Sequence, residues 1–137
     1  MNEVLQTLSN IGIVPVIAID DAAKAVPLAK ALAAGGLPAA EVTFRTAAAE
    51  DAIRAIAKEV PDMVLGAGTV LTVEQADRAM AAGATFIVAP GYDPNVTQHV
   101  ISKGGIMVPG TSTAGEMQQA MNQGCEVVKF FPAEANG

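Results

Sequence analysis

The stretch Ala39–Leu65, AAEVTFRTAAAEDAIRAIAKEVPDMVL, holds one whole strand–helix–strand step. A largely apolar run, Ala39 to Phe44, leads into a helical segment that closes at Val60-Pro61, and a second apolar run, Met63 to Leu65, follows directly. Continuous rather than alternating hydrophobicity is what a parallel strand covered on both faces requires. The step recurs at intervals of roughly 20–25 residues. Further helical segments close at Gly35-Gly36, Gly83, Gly104-Gly105 and Gly124, and the other apolar runs are Ile13 to Ile19, Thr85 to Val88, Ile106 to Val108 and Val127 to Phe131. Helix starts are marked by Asp93 before Pro94 and by the spacings Thr72 to Gln75 and Thr113 to Glu116, which suit a capping box. The chain therefore reads as a βα array with no interdomain linker, a single domain over residues 1–137. Pro15 lacks the ladder donor of a central strand and is expected at an edge or at the start of the first strand.

Composition narrows the function classes. A chain of 137 residues can bury roughly two thirds of its unfolded surface without disulfides or a structural metal. The apolar fraction is 51% but the aromatic fraction only 4%, so the core is built from aliphatic side chains and many alanines. A net charge of −6 with no basic run argues against nucleic acid and anionic membrane as partners. One cysteine and one histidine exclude an internal disulfide and cannot supply a His/Cys metal site. These features, with no signal-peptide pattern in MNEVLQTLSN, point to a cytoplasmic setting.

In a βα array chemistry collects at the carboxyl ends of the strands. There the sequence places Glu41-Val42-Thr43-Phe44-Arg45, Gly66-Ala67-Gly68-Thr69, Ala89-Pro90-Gly91, Pro109-Gly110-Thr111-Ser112-Thr113 and Lys129-Phe130-Phe131-Pro132. Lys129 is a charged amine within a run that reads as a fully buried strand. An amine desolvated among apolar side chains becomes a nucleophile able to form a Schiff base with a ketone. Lysines at strand ends also snorkel to solvent and do no chemistry, and both readings stand. Glu41, Thr43 and Arg45 alternate along one side of an extended segment, where the carboxylate and guanidinium are either a compensating ion pair or working groups. Gly66-Ala67-Gly68 lacks the remaining features of a nucleotide motif and reads as a tight turn allowing close backbone approach. Pro109 to Thr113 reads as an N-cap by Thr113 or as an anion site made of exposed amides.

Taken together, the segments VPVIAI, EVTFRT, AIRAIAKEVP, GAGTVL, PGTST and KFFPAEANG, in this order and spacing, resemble the class I 2-keto-3-deoxy-6-phosphogluconate (KDPG) and 4-hydroxy-2-oxoglutarate (KHG) aldolases along the whole chain. The resemblance implies a parallel (β/α)₈ TIM-type barrel, of which this chain supplies about six βα units. It implies a homotrimer that needs no metal and no cofactor, and a Schiff base between pyruvate and a sixth-strand lysine, here Lys129. It further implies proton handling by Glu41, binding of the pyruvate carboxylate by Arg45, a pyruvate pocket lined by Thr69 and Pro90, and Phe131 packed beside the lysine. The expected partner is a small 2-keto acid, either pyruvate or a phosphorylated keto-deoxy sugar acid.

The sequence stops at Gly137, directly after the lysine strand, whereas an eight-stranded barrel needs two more βα units, whose loops commonly hold phosphate. The expectation is therefore a truncated aldolase carrying the Schiff-base lysine and the pyruvate residues but not the phosphate site. Two alternatives accompany it: an inactive fragment that self-associates through open strand edges, and an open, flavodoxin-like ligand-binding domain in which Lys129 is buried structure.

Overall fold

The computed structural model describes residues 1–137. Its main sheet holds β1 (Val16–Ile17), β2 (Ala39–Thr43), β3 (Val64–Gly68), β4 (Phe86–Val88) and β5 (Met107–Val108), all parallel and neighbours in chain order. Two further strands, β6 (Gly110–Thr111) and β7 (Lys129–Phe130), form a separate parallel pair. Helix α1 (Glu3–Ile11) precedes the first strand. A 3₁₀ turn (Ala22–Lys24) and α2 (Ala25–Ala34), α3 (Ala49–Glu59), α4 (Val73–Ala82), α5 (Pro94–Ser102), α6 (Ala114–Asn122) and the short α7 (Ala133–Asn136) complete the array.

The consecutive strand order removes the flavodoxin-like alternative, which needs a reversal of order at a switch point. Residues from β1, β2, β4, β5 and β7 all line one cavity, so the array curves round a common interior. The split of the fifth apolar run into β5 and β6 has a simple cause in Pro109, which has no N–H to give to a ladder. Val108 accepts from the Ala89 amide at 3.3 Å, and Pro109 accepts from the Lys129 amide at 2.9 Å. One extended segment thus bonds β4 with its first half and β7 with its second.

Most of the expected punctuation is present. Asp93 caps α5 by accepting from the amides of Asn95 and Val96, and Gly83 closes α4 in the left-handed region with φ 118°. Thr113 and Glu116 form a full capping box on α6. Thr72 accepts from the Gln75 amide, but the Gln75 side chain turns instead to the Leu71 amide. Pro15 sits at the start of β1, where its carbonyl accepts from the Glu41 amide at 2.9 Å.

Three expectations need correction. The first strand spans only Val16–Ile17, the two positions paired with Glu41 and Val42, although Pro15 before it still accepts from the Glu41 amide. The third strand runs on through Gly66, Ala67 and Gly68, which pair with Glu41, Val42 and Thr43, so these glycines are ladder residues and not a turn. The lysine strand is not fully buried: Lys129 is half-buried and Phe130 exposed, since β7 has a strand on one side only.

Strand parity sorts the side chains into two sets. Val42, Leu65, Ala67 and Ile87 pack outward against Ala25, Ala29, Ile53, Ile56, Ala76 and Ala79 of the helices, and alanine at so many contacts lets helix and sheet approach closely. Val16, Glu41, Phe86, Val88, Val108, Val127 and Lys129 face the interior, whose floor is closed by Met1, Leu5 and Leu8 around α1. Ile53 is wholly buried in the outer layer. Ile53→Ala should therefore lower the unfolding free energy by about 2–5 kcal/mol in urea titrations, whereas Lys58→Ala on the exposed face of the same helix should change it by less than about 0.5 kcal/mol.

Candidate active site

Glu41 and Lys129 line the same interior cavity, of about 470 Å³, together with apolar side chains from β1, β4, β5 and α1. Glu41 comes from the middle of β2, where every residue is buried, and is itself only 6% exposed. No ion pair or hydrogen bond holds its carboxylate, so the compensating pair with Arg45 is not formed. Burial raises the pKa of Glu41 above the ordinary carboxylate range, and the nearby charges of Lys129 and Arg45 oppose that shift without cancelling it. The result is a carboxyl group that can hold or release a proton closer to neutrality than a surface glutamate.

Lys129 enters from β7, anchored by its own amide on Pro109 and by its carbonyl, which accepts from the Thr111 hydroxyl at 3.2 Å. Its Nζ stands 4.4 Å from the centre of the Phe131 ring, the geometry of a cation–π contact. Lys24, Lys30, Lys58 and Lys103 are all exposed, so Lys129 is the one lysine of the chain even partly withdrawn from solvent.

The other expected residues sit on the turns above. Arg45 lies in the turn after β2, exposed, while its neighbour Phe44 packs against the core. Thr69 follows β3 with φ 54°, a left-handed conformation rare for a β-branched residue. Pro90 follows β4 and borders a different cleft, with Val70, Leu71, Ala89, Gly91, Tyr92 and Asp93. Phe131 is 41% exposed beside Lys129. The fold thus brings Glu41 and Lys129 into one interior, sets Arg45 close enough to act on Glu41, and leaves Thr69 and Pro90 at the rim.

The anion reading of Pro109 to Thr113 fails for a visible reason. The amides of Ser112 and Thr113 both donate to Glu116 Oε1 at 3.0 Å, so an internal carboxylate already takes the place of an external anion. Those bonds, the Ser112 amide first, hold the Glu116 carboxyl below its ordinary pKa. Nowhere do three His, Cys, Asp or Glu side chains gather as a metal site would require. Sequence reasoning missed α1 and its part in closing the floor, although Asn2, which caps the helix, and Gly12, which ends it, were legible signals.

The sequence pattern of the KDPG and KHG aldolase family matches residues 4–137. A 2-dehydro-3-deoxy-phosphogluconate aldolase of Treponema pallidum is 48% identical over 137 residues, covering 100% of this chain and 65% of the relative. The crystal structure of the 2-keto-3-deoxy-6-phosphogluconate aldolase of Zymomonas mobilis ZM4 with 3-phosphoglycerate superimposes with a TM-score of 0.92 at 40% identity, over 100% of this chain and 65% of that one. A KDPG aldolase from Legionella pneumophila, crystallised with pyruvate captured at low pH as a covalent carbinolamine intermediate, gives a TM-score of 0.87 at 38% identity over 90% of this chain and 60% of that one. The chain therefore spans less than two thirds of the length of these relatives, and the fold is of the TIM-barrel type.

The buried Glu41 carries a consequence for stability. Its folded-state pKa lies above the unfolded value, so the folded form binds the proton more tightly and Glu41 loses its favourable contribution as pH rises from the ordinary carboxylate value through the raised one. Glu41→Gln should raise the melting temperature at pH 7, and the gain should shrink to nothing below the ordinary carboxylate range. Thermal unfolding of both proteins across pH measures it.

Proposed function

The chain belongs to the KDPG and KHG aldolase family, and from that premise we propose that it carries the Schiff-base centre of a class I aldolase. The observation that supports this most directly is the sharing of one apolar cavity by Glu41 and the only lysine that is not fully exposed, Lys129. In this reading Lys129 Nζ attacks the C2 ketone of 2-keto-3-deoxy-6-phosphogluconate, and loss of water gives a cationic imine next to the C3–C4 bond. Glu41, directly or through a water, takes the C4 hydroxyl proton as that bond breaks. Glyceraldehyde 3-phosphate leaves, and the electrons of the bond remain as an enamine. Protonation of the enamine at C3 and hydrolysis of the imine release pyruvate and restore the lysine.

Arg45 holds the keto-acid carboxylate, for which its planar fork is suited. Thr69 and Pro90 border the pyruvate site, and the Phe131 ring faces the cationic imine nitrogen. The same residues would serve for 4-hydroxy-2-oxoglutarate, cleaved to pyruvate and glyoxylate. Residues 1–137 act as one domain, the N-terminal portion of an aldolase-type barrel, without metal or cofactor. The proposal extends to an assembly of identical chains, trimeric as in the family, and to a cytoplasmic setting. No helix is long and apolar enough to cross a membrane.

Borohydride reduction in the presence of pyruvate tests the assignment. Peptide mapping should find the adduct on Lys129 alone, and equal labelling of all lysines, or an unlabelled Lys129, would sink it. Arg45→Lys should raise the pyruvate concentration needed for half-maximal trapping by about tenfold, the worth of roughly one charge-assisted hydrogen bond. Glu41→Gln should leave trapping largely intact while cutting carbon–carbon cleavage by about 10²–10⁴-fold in a cleavage-competent form of the protein.

A further inference from the structure

Nothing polar holds the Glu41 carboxylate in place, yet it is almost wholly buried, so its position is set by shape. In the ladder Glu41 stands opposite Gly66, and Thr43 opposite Gly68. The three atoms nearest to a methyl group built on Gly68 all belong to Glu41: it would overlap Oε1 and lie 2.7 Å from Cδ and 2.8 Å from Cγ. The glutamate side chain therefore leans one lumen-facing row, about 6–7 Å, toward the open end of the strands, and rests on the bare backbone of β3. Thr43, on the same row as Gly68, turns its hydroxyl away to donate to the Ile17 carbonyl at 3.0 Å. One row deeper, Gly66 does a separate job, since a methyl there would overlap the Phe86 ring, 2.5 Å from Cδ2.

We propose that Gly68 is a positioning residue, the absent side chain of which forms the seat of the Glu41 carboxylate and fixes the height at which that group meets a substrate held by Lys129. The proposal rests on the Schiff-base reading of Lys129 and Glu41. A methyl group at Gly68 leaves the ladder amides in place but lifts the carboxylate out of its seat toward water. Displacement by even 1 Å costs proton transfer about a hundredfold, while imine formation at Lys129, no atom of which is among the three nearest to that methyl group, is spared.

Two readouts test the proposal on the 137-residue chain. In protein labelled with ¹³C-glutamate, the titration midpoint of Glu41 should fall toward the ordinary carboxylate value in Gly68→Ala, because burial is the main cause of its elevation. An unchanged midpoint overturns the seat. In deuterium oxide, exchange of the pyruvate methyl hydrogens should slow by about a hundredfold in Gly68→Ala, with borohydride trapping at Lys129 within about threefold of the unaltered protein. Gly66→Ala should disturb stability through Phe86 but leave the Glu41 midpoint where it was. Shortening the acid supplies the decisive sign: Glu41→Asp should slow exchange by itself but speed it when added to Gly68→Ala, and slowing in both backgrounds overturns the proposal. If Gly68→Ala fails to fold, pairing it with Glu41→Ala should restore folding by removing the overlapped atoms, and failure of the pair overturns it too. Absence of trapping and exchange in the unaltered chain would sink the Schiff-base reading, while the titration still decides on Gly68.

Discussion

The five-residue pairing of β2 with β3, from Ala39 opposite Val64 to Thr43 opposite Gly68, is the constraint on which both core and site depend. Because successive strand residues face opposite ways, this register sends Ala40, Val42, Leu65 and Ala67 to the helix layer and Glu41, Gly66 and Gly68 to the interior. A slip of one residue would exchange the two sets. The carboxylate would then meet Ile53 and Ile56 on α3, and valine and alanine would replace it in the cavity. Burial of these apolar side chains, at about 25 cal/mol per Å², thus fixes the position of the acid as firmly as it fixes the core.

An ionisable group facing an apolar interior is costly, and the fold lowers that cost without abolishing it. Lys129 and Arg45 supply opposite charge near Glu41, but neither comes into contact, so desolvation remains the larger effect. A tight ion pair would have stabilised the charged form and left the carboxylate a poor base. With the two cationic side chains near but unbonded, neither the amine nor the carboxyl is tied up in a salt bridge. The enclosing floor matters for the same reason. Leu5 and Leu8 of α1, with Phe86, keep the lower interior apolar.

How far the sequence revealed this depended on whether the signal was local. Helix ends at Gly83 and Gly124 and caps at Asp93 and Thr113 were legible because cap chemistry lies within a few residues of the helix it ends. Strand identity was legible from apolar runs, and Glu41 and Lys129 stood out as charges inside them. What escaped was set by neighbours distant in sequence. Gly66 and Gly68 looked like a turn, since nothing near them in the chain shows that Phe86 and Glu41 need the space. The break at Pro109 follows from which strand each half of the segment meets, and the exposure of the lysine strand from its having one neighbour. Helix α1 is the exception: its cap residues and its leucines three apart were visible locally and went unread.

The most strained backbone position lies one residue beyond the glutamate's seat, and its balance explains why β3 stops where it does. Thr69 with φ 54° costs about 1–3 kcal/mol as a β-branched residue in the left-handed region. The bonds on either side hold it there: the Gly68 carbonyl accepts from the Phe44 amide at 2.8 Å, and the Val70 amide donates to the Val88 carbonyl at 3.2 Å. Val70 is wholly buried, and burial of its side chain contributes about 1.5–3 kcal/mol, to which each hydrogen bond adds about 0.5–1.5 kcal/mol. Relaxing Thr69 to an extended conformation would give up those terms together, so the strain persists. The left-handed residue ends β3 at the row of the Glu41 carboxylate, while Val70 continues beside β4 with its side chain in the core.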